Sequence, residues 1–270
     1  MTVLVTGARG AIARNVIAQL LEAGTPVRAA SRVPGATDLP AGGKGGTVEP
    51  VRVDFTAPET LAPALEGVAK VFLYAAHEGI DAFITAAQEA GVKHVVLLSS
   101  AASADPENQI GRVHLDVEQA LEASGIPWTF VRPAMFATNS LWWADSIRAE
   151  GVVRLPYPDA PVNPVHERDI AEVAYAALTE DGHEGRTYVI DGPGHLTQRR
   201  QVELIGEAIG RELTVEELPR AVAAKFIPEP VLDMLASGST ELWGPTSEAV
   251  TGRPARTYAD WTVDHAADFR

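Results

Sequence analysis

The chain has 270 residues, 46% of them hydrophobic and 21% charged, which suffices for one large α/β core and argues against extensive disorder. Its net charge of −14, from 36 acidic and 22 basic residues, disfavours a nucleic-acid partner because an acidic surface repels a phosphate backbone. The absence of cysteine excludes disulfides, thiolate metal sites and a cysteine nucleophile.

Targeting and membrane segments are not expected. No stretch approaches the roughly 20 apolar residues that span a bilayer. The first residues run directly into a strand pattern without the basic start of a signal peptide. We therefore expect a cytoplasmic protein without a membrane partner.

The first half alternates β-branched runs with helical patterns, which is typical of βαβ units around a parallel sheet. Strands are predicted at 3–5, 26–31, 48–53, 71–74, 94–99 and 128–132, and helices over 12–21, from 57, over 80–87 and over 113–121. Each strand is nearly all apolar, as expected where helices cover both faces of a sheet. A Gly- and Pro-rich surface loop is predicted over 34–46.

The second half is less regular. It predicts helices over 140–149, 167–178 and 198–209 and a strand over 187–190, with no internal repeat. The fold expected is α/β, a Rossmann-type doubly wound parallel sheet with a smaller C-terminal substrate lobe. Residues 1–135 would form the NAD(P)-binding core, to which later elements return, and 136–270 mainly a lobe for substrate or partner, with the cleft at the junction.

A glycine loop stands between the first predicted strand and helix. It reads Thr6-Gly7-Ala8-Arg9-Gly10-Ala11-Ile12-Ala13. Gly7 permits the tight turn, and Gly10 lets the backbone approach a pyrophosphate at the helix N-terminus. The small Ala13 still allows close packing of helix on strand. This context predicts a dinucleotide site.

The residues after the second strand indicate which dinucleotide binds. An enzyme that uses NAD usually places Asp or Glu there to hold the ribose 2′-hydroxyl. This chain has Ser31 and Arg32, and Arg9 lies in the glycine loop itself. Guanidinium groups suit a 2′-phosphate, which favours NADP(H). The alternative is that both arginines are only solvated residues of a loop.

Polar or small residues end three further strands. These are Asp54 and Phe55, then Ala75, Ala76 and His77, then Ser99 and Ser100. Ligands of open parallel sheets bind beyond the carboxyl ends of the strands, where all of these fall. The Asp54 carboxylate would accept a hydrogen bond from the adenine amino group, and Ser99 and Ser100 would lie beside the nicotinamide. Strand-end capping is the alternative for each residue alone.

The chain resembles the NmrA-like branch of the atypical short-chain dehydrogenases/reductases. The motifs that carry the resemblance are the glycine loop, Val53-Asp54-Phe55, Leu97-Leu98-Ser99-Ser100, Glu118-Gln119-Ala120-Leu121-Glu122-Ala123-Ser124-Gly125, Thr129-Phe130-Val131-Arg132-Pro133 and His166-Glu167-Arg168-Asp169-Ile170-Ala171. It runs to about residue 215, and Thr251-Gly252-Arg253-Pro254 also looks familial. The resemblance implies that NADPH is bound by Gly7, Arg9, Gly10, Ile12, Arg32 and Asp54, and that the nicotinamide half is contacted near Pro133, Ala134, Met135 and Phe136.

One feature of the wider superfamily is missing. Its catalytic members place Tyr four residues before Lys, ahead of a glutamate like Glu118, and the lysine lowers the pKa of the tyrosine so that it exchanges a proton with substrate. At the corresponding positions this chain has Ile110 and His114. The NmrA-like branch commonly lacks this pair and contains both quinone-type reductases and non-catalytic redox sensors.

His114 is a candidate proton donor, with Glu118 one helical turn later to tune it. The alternative is a structural histidine bonded to that glutamate. The two residues are too few to bind a metal, and none is expected. His166 has two possible roles: it lines the substrate cleft, or it stabilises or caps a loop.

Candidate substrate contacts are Trp142, Trp143, Tyr157 and His166. Neighbouring helical residues point about 100° apart, so at most one of the two tryptophans faces a flat, apolar substrate. Packing of both is the alternative.

We therefore expect an NADPH-dependent oxidoreductase, monomeric or homodimeric, that transfers hydride to a quinone-like or other activated cyclic acceptor. Ser99, Ser100 or His114 would stabilise the developing charge. The rival interpretation is a non-catalytic NADP-binding redox sensor that regulates a protein partner.

Overall fold

The computed structural model describes residues 1–35, 39, 45–75, 77–239 and 241–270. The chain forms two compact units. The first comprises Met1–Pro133, Glu167–Val189 and Val250–Gly252, and the second comprises Ala134–His166, Ile190–Ala249 and Arg253–Arg270. Most of the loop predicted over 34–46 lies outside the described residues.

The first unit is built on a seven-stranded sheet with the order β3-β2-β1-β4-β5-β6-β9. The strands are β1 (Thr2–Val5), β2 (Val27–Ser31), β3 (Val48–Arg52), β4 (Val68–Tyr74), β5 (His94–Leu98), β6 (Trp128–Pro133) and β9 (Arg186–Ile190). The five pairings among β1 to β6 are parallel. The Rossmann-type fold that the sequence predicts is confirmed.

The helices of the first unit lie close to their predicted positions. They are α1 (Ala11–Glu22), α2 (Leu61–Leu65), α3 (Ile80–Glu89), α4 (Gln109–Ser124) and α6 (Glu167–Thr179). α1 buries the apolar face from which it was predicted, and α4 ends at Gly125, whose φ of +75° only glycine adopts easily. The helix predicted from residue 57 begins as a 3₁₀ turn, Pro58–Thr60, before α2.

β3 departs from the expectation that every strand is nearly all apolar. Glu49, Pro50 and Arg52 are exposed along it. β3 is at the edge of the sheet, where solvent reaches one side and a proline removes no central ladder hydrogen bond. Its charged residues are therefore compatible with a strand.

The second unit has its own apolar core, which includes Trp261, Phe269 and Ile147. Its helices are α5 (Ala144–Glu150), α7 (Gln198–Ile209), α8 (Arg220–Ala223), α9 (Glu229–Ser237), α10 (Glu248–Thr251) and α11 (Tyr258–Asp264), with Val250 and Thr251 of α10 assigned to the first unit. Its strands are β7 (Val152–Leu155), β8 (Pro161–Val162), β10 (Leu196–Thr197) and β11 (Thr214–Glu217). β8 pairs with β10, and β7 with β11. The described residues contain no helix long and apolar enough to cross a membrane.

The helix predicted over 140–149 is correct only in its second part. The segment Ala137–Trp143 is a 3₁₀ helix, and the α-helix α5 starts at Ala144. The helix predicted over 198–209 coincides with α7.

Candidate NADP(H) site

The glycine loop joins β1 to α1 as a tight turn. Gly7 has a φ of +63°, and the Gly10 N–H donates to the Gly7 carbonyl oxygen at 2.8 Å. A Cβ added at Gly7 would lie 3.2 Å from the Cβ of Tyr74, and one at Gly10 would lie 3.3 Å from the Gly7 oxygen. Both positions therefore favour glycine for backbone or packing reasons.

The start of α1 offers backbone donors. Gly10 is the N-cap and provides no side-chain cap, and the first turn contains no acidic residue. The first intrahelical bond runs from the Arg14 N–H to the Gly10 oxygen at 2.9 Å. The N–H groups of Ala11, Ile12 and Ala13 thus have no acceptor within the helix and suit a pyrophosphate.

A cavity of about 850 Å³ opens beside this loop. Eight of the residues predicted to bind cofactor line it, namely Gly7, Arg9, Ser31, Arg32, Asp54, Phe55, Ala75 and His77. Ala8 is buried behind the loop, where its N–H donates to the Ala30 oxygen at 3.1 Å. Ala76 lies outside the described residues.

The basic groups of the cavity suit a phosphate. Arg9 and Arg32 are exposed, and neither forms an ion pair within the described part of the chain. Guanidinium donors without a carboxylate partner are available to an incoming anion. Together with the glycine loop and the start of α1, they make the residues present fit NADP(H).

Asp54 is held as a carboxylate. Its Oδ1 accepts hydrogen bonds from the Thr56 N–H at 3.1 Å and from the Thr56 hydroxyl at 2.7 Å. These bonds, with a smaller contribution from Arg52, keep the pKa of Asp54 below its usual value. Its Oδ2 lies 3.6 Å from Nη2 of Arg52.

Arg52 and Tyr74 are among the lining residues of this cavity that sequence reasoning did not predict. Arg52 is the last residue of β3, two residues before Asp54. Tyr74 is the last residue of β4, at the same sheet edge as the predicted residues. Tyr74 could have been found by extending the strand-end argument one residue back into β4.

A buried polar cluster joins β5, β6 and α4. The Glu118 carboxylate accepts from the Ser99 hydroxyl at 2.5 Å, the Ser103 hydroxyl at 3.2 Å and Nε of Arg132 at 2.8 Å, and it also pairs with Nη2 of Arg132. Glu118 and Ser99 are each 1% exposed. The single hydroxyl proton of Ser99 is committed to Glu118, so the substrate contact predicted for Ser99 would first require breaking this bond.

Ser100 is placed differently. Its hydroxyl oxygen accepts from the Ala102 N–H at 3.2 Å and caps the 3₁₀ helix Ala101–Ala104. Its hydroxyl proton has no acceptor in the described residues and is free to be donated.

His114 is half-buried, and its Nδ1 atom is buried without a hydrogen-bond partner among the described residues. Burial lowers the pKa of His114, and the negative charge of Glu118 only partly opposes this. The described contacts include no hydrogen bond from His114 to Glu118, which is occupied by Arg132, Ser99 and Ser103. The tuning by Glu118 that was predicted is therefore weaker than the effect of burial.

The remaining predicted residues lie in the second unit, except Pro133, which ends β6. The Ala134 N–H donates to the Ile190 oxygen at 2.9 Å, and the Met135 oxygen accepts from the Val165 N–H at 2.7 Å. Phe136 forms an isolated parallel bridge with Val165. These bonds fix the backbone of the segment that the resemblance assigns to the nicotinamide half.

The two adjacent tryptophan side chains point in different directions, as expected for neighbouring helical residues. Trp142 is 81% exposed, whereas Trp143 packs against the core of the second unit. His166 is 1% exposed, and its Nε2 lies 3.3 Å from Oδ2 of Asp264. His166 thus has a buried contact with Asp264, as the capping alternative predicts, and its side chain is not exposed to a substrate.

Tyr157 is the only described non-glycine residue with a positive φ, at +51°. Its carbonyl oxygen accepts from the Ala160 N–H at 2.9 Å and from Nε2 of Gln198 at 3.0 Å. Its side chain packs on an apolar cluster beside Met135 and Met234. A bulky residue held in this region is strained, and such strain is frequent at functional sites.

Comparison with known proteins identifies NAD(P)H-binding relatives of this chain. Residues 7–181 match the model of a family described as NAD(P)H-binding. The (4-alkanoyl-5-oxo-2,5-dihydrofuran-3-yl)methyl phosphate reductase of Streptomyces griseus is 42% identical, and the NAD(P)H azoreductase of Xenophilus azovorans is 36% identical, with 99% of each chain covered in both cases. The crystal structure of the NADPH-dependent quinone oxidoreductase of Escherichia coli with NADPH superposes with a TM-score of 0.77 at 26% identity, covering 97% of this chain and 99% of that one.

The chain belongs to this NAD(P)H-binding family, within the NmrA-like branch of the atypical short-chain dehydrogenases/reductases. It is an NAD(P)H-dependent oxidoreductase, and the reductases that it resembles act on small molecules. Its similarity to reductases over nearly the full length favours catalysis over the non-catalytic sensor.

Proposed function

We propose that the enzyme reduces an activated cyclic acceptor, quinone-like or an unsaturated lactone, without a Tyr-Lys proton relay. The observation that carries this proposal is the environment of position 114. His114 stands where the superfamily's catalytic lysine would be, Ile110 stands where its tyrosine would be, and burial lowers the pKa of the histidine. No strong acid is therefore provided at this position at neutral pH.

Such a site suits an acceptor that takes hydride readily. When bound, NADPH supplies the hydride. In a conjugated acceptor the displaced electron pair spreads onto a carbonyl oxygen, which needs only hydrogen bonds or a weakly acidic donor. A simple ketone gives an alkoxide, which needs a proton as it forms.

The names of the relatives support this class of acceptor. The substrate named for the Streptomyces griseus reductase contains a 5-oxo-2,5-dihydrofuran ring, a lactone whose double bond is conjugated to its carbonyl and to an alkanoyl group. The Escherichia coli relative is named for quinones. Both are cyclic and electron-poor, so we propose the same chemistry here.

The chain's own residues have separate roles in this proposal. The glycine loop and the start of α1 hold the pyrophosphate, and Arg9 and Arg32 hold the 2′-phosphate. Ser100 and His114 donate hydrogen bonds to the acceptor oxygen, while Ser99 acts through the Glu118 cluster that fixes the ends of β5 and β6. Taken by itself, the second unit offers the exposed Trp142 and the strained Tyr157 as candidate contacts for a planar molecule.

The test is NADPH consumption, followed at 340 nm, with a panel of acceptors. We expect turnover of substituted benzoquinones and of an acyl-substituted butenolide, and at least 100-fold lower kcat/KM for cyclohexanone and acetophenone, since general acid help is worth roughly 10²–10⁴-fold. Equal turnover of the simple ketones, or no turnover of any conjugated acceptor, would contradict the proposal.

A further inference from the structure

The NADP(H) cavity contains a third arginine, Arg52, which comes from the end of β3. We infer that Arg52 binds the 2′-phosphate of NADP(H) together with Arg9 and Arg32, and so contributes to the preference for NADP(H) over NAD(H). This inference assumes that NADP(H) binds in this cavity, and it does not depend on which acceptor the enzyme reduces.

The sheet register puts Arg52 at the ribose end of the site. Arg52 pairs with Ser31 across β2 and β3, and Arg32 follows Ser31 directly. Neighbouring strands are about 4.8 Å apart. A phosphate beside Arg32 is therefore within reach of the Arg52 side chain, which extends from the strand next to Ser31.

Ser31, the predicted hydroxyl ligand in this position, is already engaged. Its Oγ donates to the Val33 carbonyl oxygen at 2.9 Å. A hydroxyl has one proton, so a phosphate would have to compete with that carbonyl for it. The opposite strand provides a stronger donor in Arg52, whose planar guanidinium matches two phosphate oxygens at once.

Arg52 is also held loosely enough to bind a ligand. Its side chain is 56% exposed, and its one ion pair with another described residue is the 3.6 Å contact of Nη2 with Oδ2 of Asp54. Arg28, on the neighbouring strand, is a contrast. Its guanidinium donates to Glu49 at 2.9 Å and to two backbone carbonyls, so it has little capacity left. Asp54 steers Arg52 without saturating it.

The charged residues of the cavity also favour a bound phosphate. Three guanidinium groups face two carboxylates there, Asp54 and Glu78, in a chain whose net charge is −14. A local excess of positive charge in an acidic protein suits a ligand that is a dianion. The ribose 2′-phosphate is such a group, whereas the 2′-hydroxyl of NAD is neutral.

Titration with nucleotide fragments tests the inference without turnover. The probes are 2′,5′-ADP and 5′-AMP, followed by calorimetry with the unmodified chain, Arg52→Ala, Arg52→Lys and Arg14→Ala. Arg14 is an exposed arginine on α1 outside the cavity and serves as the matched control. We expect Arg52→Ala to weaken 2′,5′-ADP about tenfold or more, Arg52→Lys to recover part of this loss, and Arg14→Ala to change neither probe.

The affinity for 5′-AMP and its salt dependence separate the outcomes. We expect 5′-AMP to bind the unmodified chain and Arg52→Ala alike, and the affinity for 2′,5′-ADP to fall less steeply with salt in the variant. Equal weakening of both probes would assign Arg52 to the adenosine and overturn the inference, as would unchanged binding of 2′,5′-ADP. Neither result would affect the proposed acceptor, which turnover alone tests.

Discussion

His114 has one ring nitrogen, Nδ1, buried inside the protein, and this burial favours the neutral form of the imidazole over the protonated form. Protonation would add a charged N–H at Nδ1, where the described structure offers no acceptor. Burial accordingly lowers the pKa of His114 from its ordinary value of 6.5. The neutral imidazole therefore predominates at pH 7.

If His114 donates the proton, the active form is the imidazolium, and activity falls as pH rises through a pKa below 6.5. We expect His114→Ala to lower kcat/KM by roughly 10² at pH 5.5 and by less at pH 8, with unchanged NADPH affinity. Val113→Ala, an exposed neighbour on α4, is the control. A pH-independent rate from 5.5 to 8, equal in His114→Ala, would assign the histidine a structural role.

At the scale of the element, the junction of β1 and α1 depends on a small residue at position 10. Gly10 has a φ of −74°, which any residue tolerates, so a side chain there is excluded by space and not by backbone strain. We expect Gly10→Val to abolish NADPH binding in a fluorescence titration while the chain remains folded by circular dichroism. Gly194→Val, at an open position, should bind normally. Normal binding by Gly10→Val would show that the loop has been misassigned.

The Glu118 cluster is a second element-scale feature, since one carboxylate links α4 to the ends of β5 and β6. Removing one partner of a buried ion pair costs about 3–5 kcal/mol because the other charge stays buried. We expect Glu118→Gln to lower the free energy of unfolding in urea by about 3 kcal/mol. Glu150→Gln, which breaks the exposed pair with Arg154, should lower the free energy of unfolding much less, because solvent screens that pair. A loss for Glu118→Gln as small as that of the surface variant would contradict a stabilising role for the cluster.

Elements with a clear period were predictable from sequence, and those without one were not. α1 and α7 show a continuous apolar face and were located within a residue or two. β8 and β10 have two residues each, too few to show alternation, and exist only because they pair with one another. The 3₁₀ geometry at Ala137–Trp143 likewise has no local pattern to reveal it.

In the candidate site too, the features set by local sequence were predictable, and those set by long-range contacts were not. The glycine loop was predictable because its geometry depends on residues adjacent in sequence. Arg52 was not singled out because its importance comes from the register that sets β3 beside Ser31. The bond of Ser99 to Glu118 spans 19 residues and cannot be inferred from either neighbourhood alone.

At the scale of the whole molecule, a buried histidine makes the stability of the fold depend on pH. His94 on β5 is 1% exposed, and its Nε2 lies 2.9 Å from the Thr129 hydroxyl oxygen. That hydroxyl donates to the His183 carbonyl at 2.6 Å, so Nε2 of His94 must be the donor to Thr129. Nδ1 then has no proton and no hydrogen-bond partner in the part of the chain that the structure describes. Burial, with a smaller contribution from Lys70, lowers the pKa of His94 to about 4.

The sign of the effect follows from proton binding. In the unfolded chain His94 titrates near 6.5, so between pH 6.5 and 4 the unfolded state binds more protons than the folded state. Above pH 6.5, His94 therefore does not reduce the free energy of unfolding. As pH falls from 6.5 towards 4, His94 lowers that free energy by up to about 3 kcal/mol. We expect urea unfolding to show this decrease and His94→Gln to flatten it, while the exposed His195→Gln does not. A slope between pH 6.5 and 4 that is the same in His94→Gln and the unmodified chain would locate the proton uptake elsewhere.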